Sequence, residues 1–137
     1  MKLVSACLLG VNCRWDGGSK SNEKVIKLLG EDDLIYVCPE QLGGLRTPRI
    51  PSEQLMGDVY NKRGEDVTEQ FIRGAFQTLA IAKMYGATEF IGAKNSPSCG
   101  VGDVYDGTFT NKLTKGDGIT TKVLRMHGIK VISEGEL

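Results

Sequence analysis

The residues in this chain best equipped for chemistry are its four cysteines, Cys7, Cys13, Cys38 and Cys99. Three of them lie far apart, with 31 positions from Cys7 to Cys38 and 61 from Cys38 to Cys99. No Cys-x-x-Cys pair occurs, so neither a thioredoxin-like couple nor a zinc ribbon is written here, and the clustered cysteines of a ferredoxin are absent. The single histidine, His127, sits at the C-terminal end of a predicted helix, where an imidazolium complements the dipole. A Cys-His nucleophile pair or a His-bearing zinc site therefore lacks its usual members. The run Gly100-Val101-Gly102-Asp103-Val104-Tyr105 lacks the third glycine of a dinucleotide loop, and there is no Walker sequence. Thiolates brought together in space select zinc, copper(I) or iron-sulfur centres.

Whether they meet depends on the elements that carry them. Leu3–Ala6 reads as a short buried strand, Leu34–Val37 as a second and Glu89–Ala93 as a third, with a last strand over Ile129–Ile132. Between them lie a helix carrying Val25, Ile26, Leu28 and Leu29, with Ser21 as its candidate N-cap, and the longest helix, Glu69–Tyr85, capped by Thr68 and stopped by Gly86. Phe71, Ala75, Leu79, Ala82 and Phe76 are its expected inward face, and Ile119–His127 is the final helix. The stretch Pro39–Met56 is expected to be an irregular loop, and Asp58–Tyr60 with Glu65–Val67 a small hairpin across Asn61–Gly64. Alternating strands and helices predict a single α/β domain over residues 1–137, a three-layer α/β/α sandwich with a mainly parallel, Rossmann-like sheet. Cys7 then falls just past the first strand, Cys38 at the end of the second and Cys99 six positions past Ala93 at the end of the third, all at carboxyl ends, the edge where open α/β sheets bind ligands. On the residues alone, a three-thiolate metal site and scattered core cysteines both remain open.

Composition narrows the class. The 137 residues are 40% hydrophobic, enough for one core, and Lys+Arg and Asp+Glu both total 17. No bulk positive field draws the chain onto long nucleic acid or anionic lipid, so a small-molecule substrate fits better. The apolar stretch after Met1 is too short for a signal peptide and no segment reaches transmembrane length, so the expected location is the cytoplasm, where thiols stay reduced.

Several linked motifs sharpen the reading. They are Ser5-Ala6-Cys7-Leu8-Leu9-Gly10, Cys13-Arg14-Trp15-Asp16-Gly17, and Cys38-Pro39-Glu40 followed by Gly43-Gly44-Leu45, Pro48-Arg49 and Pro51. Lys94, Ser96-Pro97-Ser98-Cys99-Gly100 and Tyr105-Asp106-Gly107-Thr108-Phe109 complete the set. Together they resemble the thiouracil desulfidase family, over Ser5 to Glu134. The resemblance implies a 4Fe-4S cluster held by Cys7, Cys38 and Cys99, with one iron left free for the sulfur of a thiolated pyrimidine or its nucleotide.

Desulfidation by water then needs a base and a proton donor. Glu40, two residues after a ligand, is the first choice for the base, and Ser96 the group that orients substrate or water. Asp16 is a further catalytic candidate, while Arg14 and Arg49 are candidates for substrate binding, Arg49 toward a phosphate. Cys13 has three roles open to it: substitute ligand, catalytic thiol or packing. The rival readings are a non-catalytic metal-binding or persulfide-carrier protein, and the same chemistry on thiolated tRNA.

Overall fold

The structure is a computed structural model that describes Met1–Leu137. Its centre is a four-stranded parallel sheet of β1 (Lys2–Ser5), β2 (Leu34–Val37), β5 (Glu89–Gly92) and β8 (Lys130–Ser133), in the order β2-β1-β5-β8. The registers are regular: Leu3 sits opposite Ile35 on one side and Phe90 on the other, and Ile91 opposite Ile132. Strands this short and apolar are stable only when covered on both faces. Right-handed crossovers supply the cover. The step from β1 to β2 through α1 (Glu23–Lys27) runs one way. The return to β5 through α3 (Thr68–Tyr85), and on to β8 through α4 (Ile119–Met126), runs the other way, which puts α3 and α4 together on the opposite face. The expected α/β sandwich is therefore the architecture found, and its chain reverses direction between β1 and β5.

Leu3, Val4, Phe90, Ile91 and Leu124 have no more than trace exposure and anchor the main core. Each such side chain contributes about 1.5–3 kcal/mol on burial. A second cluster of Val59, Val67, Phe71, Ala75 and Ile119 fastens a hairpin to the outer part of α3 and α4. The hairpin joins β3 (Ser52–Leu55) to β4 (Asp58–Asn61) through Met56 and Gly57, both at positive φ, as a tight two-residue turn requires.

Local expectations are corrected at several points. The stretch Pro39–Met56 is not irregular throughout: it contains α2 (Pro39–Leu42) and β3. The pairing of Asp58–Tyr60 with Glu65–Val67 reduces to one bridge, Tyr60 with Asp66, because β4 pairs with β3 instead. Asn22, not Ser21, caps α1, its Oδ1 accepting the amides of Lys24 and Val25 at 3.0 and 3.2 Å. Only Val25 of that helix is buried, while Ile26 and Leu29 face solvent. Thr68 does not cap α3: its hydroxyl accepts from the Val59 amide at 2.8 Å, and Asp66 accepts the Thr68 amide instead. Phe76 is 49% exposed and stands edge-on to His127, away from the core. The loop after Gly102 folds into a second hairpin, β6 (Asp103–Tyr105) with β7 (Leu113–Lys115).

One close approach fixes the site's geometry. A Cβ on Gly74 of α3 would run into the Pro39 carbonyl oxygen, and one on Gly43 into that of Gln70. The absence of both side chains lets α2, which carries Glu40, lie directly on the backbone of α3.

Candidate active site

The three strand ends converge as the parallel order demands. Cys7 sits in a 3-10 turn, Ala6–Leu9, immediately after β1, and Cys38 ends β2 at the start of α2. Cys99 follows β5 in a loop held from several directions. The Ser5 hydroxyl accepts the Ala93 amide at 3.1 Å, tying the ends of β1 and β5. The first amides of α4, those of Ile119 and Thr120, donate to the carbonyls of Pro97 and Ser98, each at 2.9 Å. Cys7, Cys13, Cys38 and Cys99 all line one cavity of about 390 Å³ at this edge, and all four are free thiols.

Cys13, Cys38 and Cys99 are crowded thiols whose ionisation is disfavoured. Contact with the Cys13 thiol, then burial, pushes Cys38 far up. Cys13 is lowered by Cys38, but contact with Cys7 and burial outweigh this and leave it pushed up to about 11. Burial pushes Cys99 up to about 12, against side-chain contacts with the Ser5 and Ser98 hydroxyls that lower it. Such a set ionises readily only when a bound cation compensates the charge, since a coordinating thiol loses its proton outright. No three His, Cys, Asp or Glu side chains close on one point as a single ion requires. Thiolates from three separated loops around a cavity suit a polynuclear thiolate-bound cluster better than one tetrahedral zinc. The donor set thus fits the expected iron-sulfur group.

Glu40 stands beside these thiols and is fully engaged. Its Oε1 accepts from Arg49 Nε at 3.0 Å, and its Oε2 accepts from Ser98 Oγ at 3.2 Å. Ser98 Oγ also lies 3.1 Å from Ser96 Oγ and 3.4 Å from Cys99 Sγ. Ser96 Oγ accepts the amides of Ser98 and Cys99, at 3.2 and 3.0 Å. With those acceptor positions spent and the Ser98 proton given to Glu40, its own proton goes to Ser98 Oγ. Arg49, Glu40, Ser98 and Ser96 form one chain of hydrogen bonds leading to Cys99.

The other predicted residues separate. Arg49 is turned inward, its side chain 7% exposed. Besides Glu40 it donates to the carbonyls of Arg46 and Cys13 and to Thr47 Oγ1. Arg49 lines the cavity with its guanidinium committed to four acceptors, the arrangement of a positioning group. Asp16 is not part of the cavity lining: its carboxylate accepts the Gly18 amide at 2.9 Å in a local turn and pairs with Arg14 at 3.6 Å. Arg14 does line the cavity. Glu53 pairs with no arginine; its Oε1 accepts the amides of Gly107 and Phe109 at 3.0 and 3.1 Å. His127 binds the Val123 carbonyl at 2.9 Å and plays no part here.

Sequence reasoning missed Ser98. The available signal was its place beside Cys99 and two residues from Ser96, the spacing of a serine turn whose hydroxyls meet.

A thiol-lined cavity at the reversal point of an α/β sheet, with an engaged carboxylate and serine pair, defines a class that the comparisons bear out: the chain belongs to the 2-thiouracil desulfurase family, whose model matches residues 3–136. The uncharacterized protein YbbK of Bacillus subtilis (strain 168) is 46% identical over 147 residues, covering 100% of this chain and 97% of its own length. The solved structure of TudS, described as a 4Fe-4S-dependent thiouracil desulfidase, superposes with a TM-score of 0.93 at 42% identity, covering 98% of this chain and 91% of that one. No helix is long and apolar enough to cross a membrane.

Proposed function

We infer that this protein is a 4Fe-4S-dependent, non-redox desulfidase that hydrolyses thiolated uracil, as base or nucleotide, to uracil and sulfide. The observation that carries this reading is the meeting of Cys7, Cys38 and Cys99 in one cavity with Glu40, Ser96 and Ser98 hydrogen-bonded beside them. Cys7, Cys38 and Cys99 would hold the cluster. When bound, it supplies a Lewis-acidic metal position open to a soft sulfur atom, which makes the thiocarbonyl carbon more electrophilic.

The remaining work falls to the chain. Glu40, oriented by Arg49 and Ser98, takes the proton of the attacking water. Ser96, whose lone pairs are held by the Ser98 and Cys99 amides, donates its proton to Ser98 Oγ, whose own proton goes to Glu40, and so orients the carboxylate that holds the water. Water adds its oxygen to the ring carbon, the carbon–sulfur bond breaks, and the sulfur leaves as hydrogen sulfide with the two protons of water, one of them by way of Glu40, so atoms and charge balance without an electron donor. Arg14 borders the cavity as the substrate-side cation. Cys13, 2% exposed and in contact with Cys7 and Cys38, is the thiol that packs between two ligands. The carrier alternative needs an exposed, easily ionised thiol, and the raised, buried Cys13 and Cys99 argue against it.

The test is anaerobic reconstitution with iron and sulfide, followed by 4-thiouracil with no reductant. A brown protein with about four irons per chain that releases sulfide and uracil is the expected result. A colourless zinc-binding protein without sulfide release, or turnover that demands a reductant, would overturn it. The variants C7S, C38S and C99S should each lose iron, whereas C13S should keep it.

A further inference from the structure

Glu53 is the one carboxylate lining the cavity that the mechanism leaves idle while its other half is locked in place. It lies on β3, is only 9% exposed, and takes part in none of the eight ion pairs. One oxygen, Oε1, accepts both the Gly107 and the Phe109 amide. Those two bonds fix the carboxylate plane and hold the loop that brings Phe109 to the cavity wall. The other oxygen, Oε2, has no donor anywhere in the protein. It is not sealed either, because the only occluded orphan side-chain atoms are Thr120 Oγ1 and Thr121 Oγ1. A carboxylate oxygen that is accessible, lacks a donor and belongs to a side chain lining a cavity needs a donor from whatever fills that cavity, since burying it unmet costs about 1–3 kcal/mol or more.

We propose that Glu53 is a substrate-binding residue of this enzyme, its Oε2 accepting a ring N–H of the pyrimidine. This deepens the desulfidase reading and rests on it for the identity of the ring. Uracil and its thio derivatives present N–H donors at N1 and N3, whereas a ring nitrogen bearing only a lone pair would face Oε2 with repulsion. Glu53 would therefore select uracil-type over cytosine-type rings by pairing of donor with acceptor. Such selection is strong because the wrong ring leaves a buried group unpaired.

The experiment measures binding without turnover. Dissociation constants for uracil, 1-methyluracil and 3-methyluracil are determined by calorimetry on the anaerobically reconstituted protein and on Glu53→Gln. Glutamine keeps an oxygen for the Gly107 and Phe109 amides but sets an NH₂ where Oε2 was. Uracil should weaken by about ten-fold or more, the range of a charged hydrogen bond. One methyl isomer should be weakened as much in the native protein and lose little further on substitution, as the non-additivity of a direct contact requires. A purely structural role in holding the loop would instead weaken uracil and both isomers by the same factor, which would overturn the proposal. So would uracil binding that is unmeasurable in the native protein or unchanged by E53Q. If E53Q fails to fold, Glu53→Asp keeps both oxygens a methylene short and is read in the same cycle. Sulfide release from 4-thiouracil, followed on the same native preparation, tests the desulfidase reading separately.

Discussion

Replacing Arg49 by methionine should be among the most destabilising single changes near the site, for a reason that can be isolated. The substitution keeps much of the apolar stem but removes the donors to Glu40, Thr47 and the carbonyls of Arg46 and Cys13. Removing one partner of a buried ion pair costs about 3–5 kcal/mol, mostly through the charge left behind. Glu40 retains 15% side-chain exposure and borders the cavity, so water relieves part of that cost and the lower end, about 3 kcal/mol, applies. At this chain length that lowers Tm by roughly 12 °C. The assay is urea and thermal unfolding of the reduced, iron-free protein, so that metal binding does not contribute. The decisive comparison is the double variant E40Q/R49M. If the cost lies in a stranded carboxylate, neutralising it should make the double variant at least about 1 kcal/mol more stable than the sum of the single effects predicts. Additive effects, or an R49M stability within about 1 kcal/mol of the native protein, would refute the assignment of Arg49 as the group that holds Glu40.

Gly74→Ala should drive a methyl into the Pro39 carbonyl, push α2 off α3 and cost about 1–3 kcal/mol. Because α2 carries Glu40 and begins at Cys38, iron per chain after reconstitution should fall as well, and full loading with native stability would contradict the close-packing account. The reduced, iron-free protein should also lose stability in alkali. Cys13 and Cys99 ionise near 9.0 when unfolded but near 11 and 12 when folded, so the folded state holds extra protons in between. Stability should be full below about pH 9 and decline as pH rises toward 12; a urea series in which it rises over that window would exclude the crowded neutral thiols.

The sheet was legible because its strands are nearly continuous apolar runs, and burial on both faces writes that signal directly into sequence. Once the parallel order was inferred, the convergence of Cys7, Cys38 and Cys99 followed from where strands end. The hairpin was not legible, because β3 carries Glu53 and Gln54 as buried residues. Gln54 donates to the carbonyls of Pro97 and Asp117 and accepts from Lys122, all remote in sequence. A polar strand satisfied by distant partners shows no alternation to read. The α1 face failed for the converse reason: Ile26 and Leu29 have core composition but lie where no element covers them. Arg49 and Asp16 show the same limit at the site. Type and proximity to a motif identified both, while the direction of each side chain was decided by acceptors that only folding supplies.

The same contacts explain why the ligands and the proposed base should behave as one unit. Glu40 is two residues from Cys38, and Ser98 is next to Cys99, so the 3.2 Å bond between them joins the β2 loop to the β5 loop across the cavity. Arg49 extends the link to the Cys13 carbonyl, which the Cys38 thiol also approaches at 3.7 Å. The β2 loop therefore carries a thiol and the carboxylate, and the β5 loop a thiol and a group that orients that carboxylate. A displacement that spoils thiol spacing also turns Glu40, and one that frees Glu40 relaxes the thiols. Loss of iron and loss of water activation should consequently appear together in variants of α2 and of the Ser96–Cys99 turn. They should separate only where a substitution such as Glu40→Gln removes the proton acceptor and leaves the hydrogen-bonded frame in place.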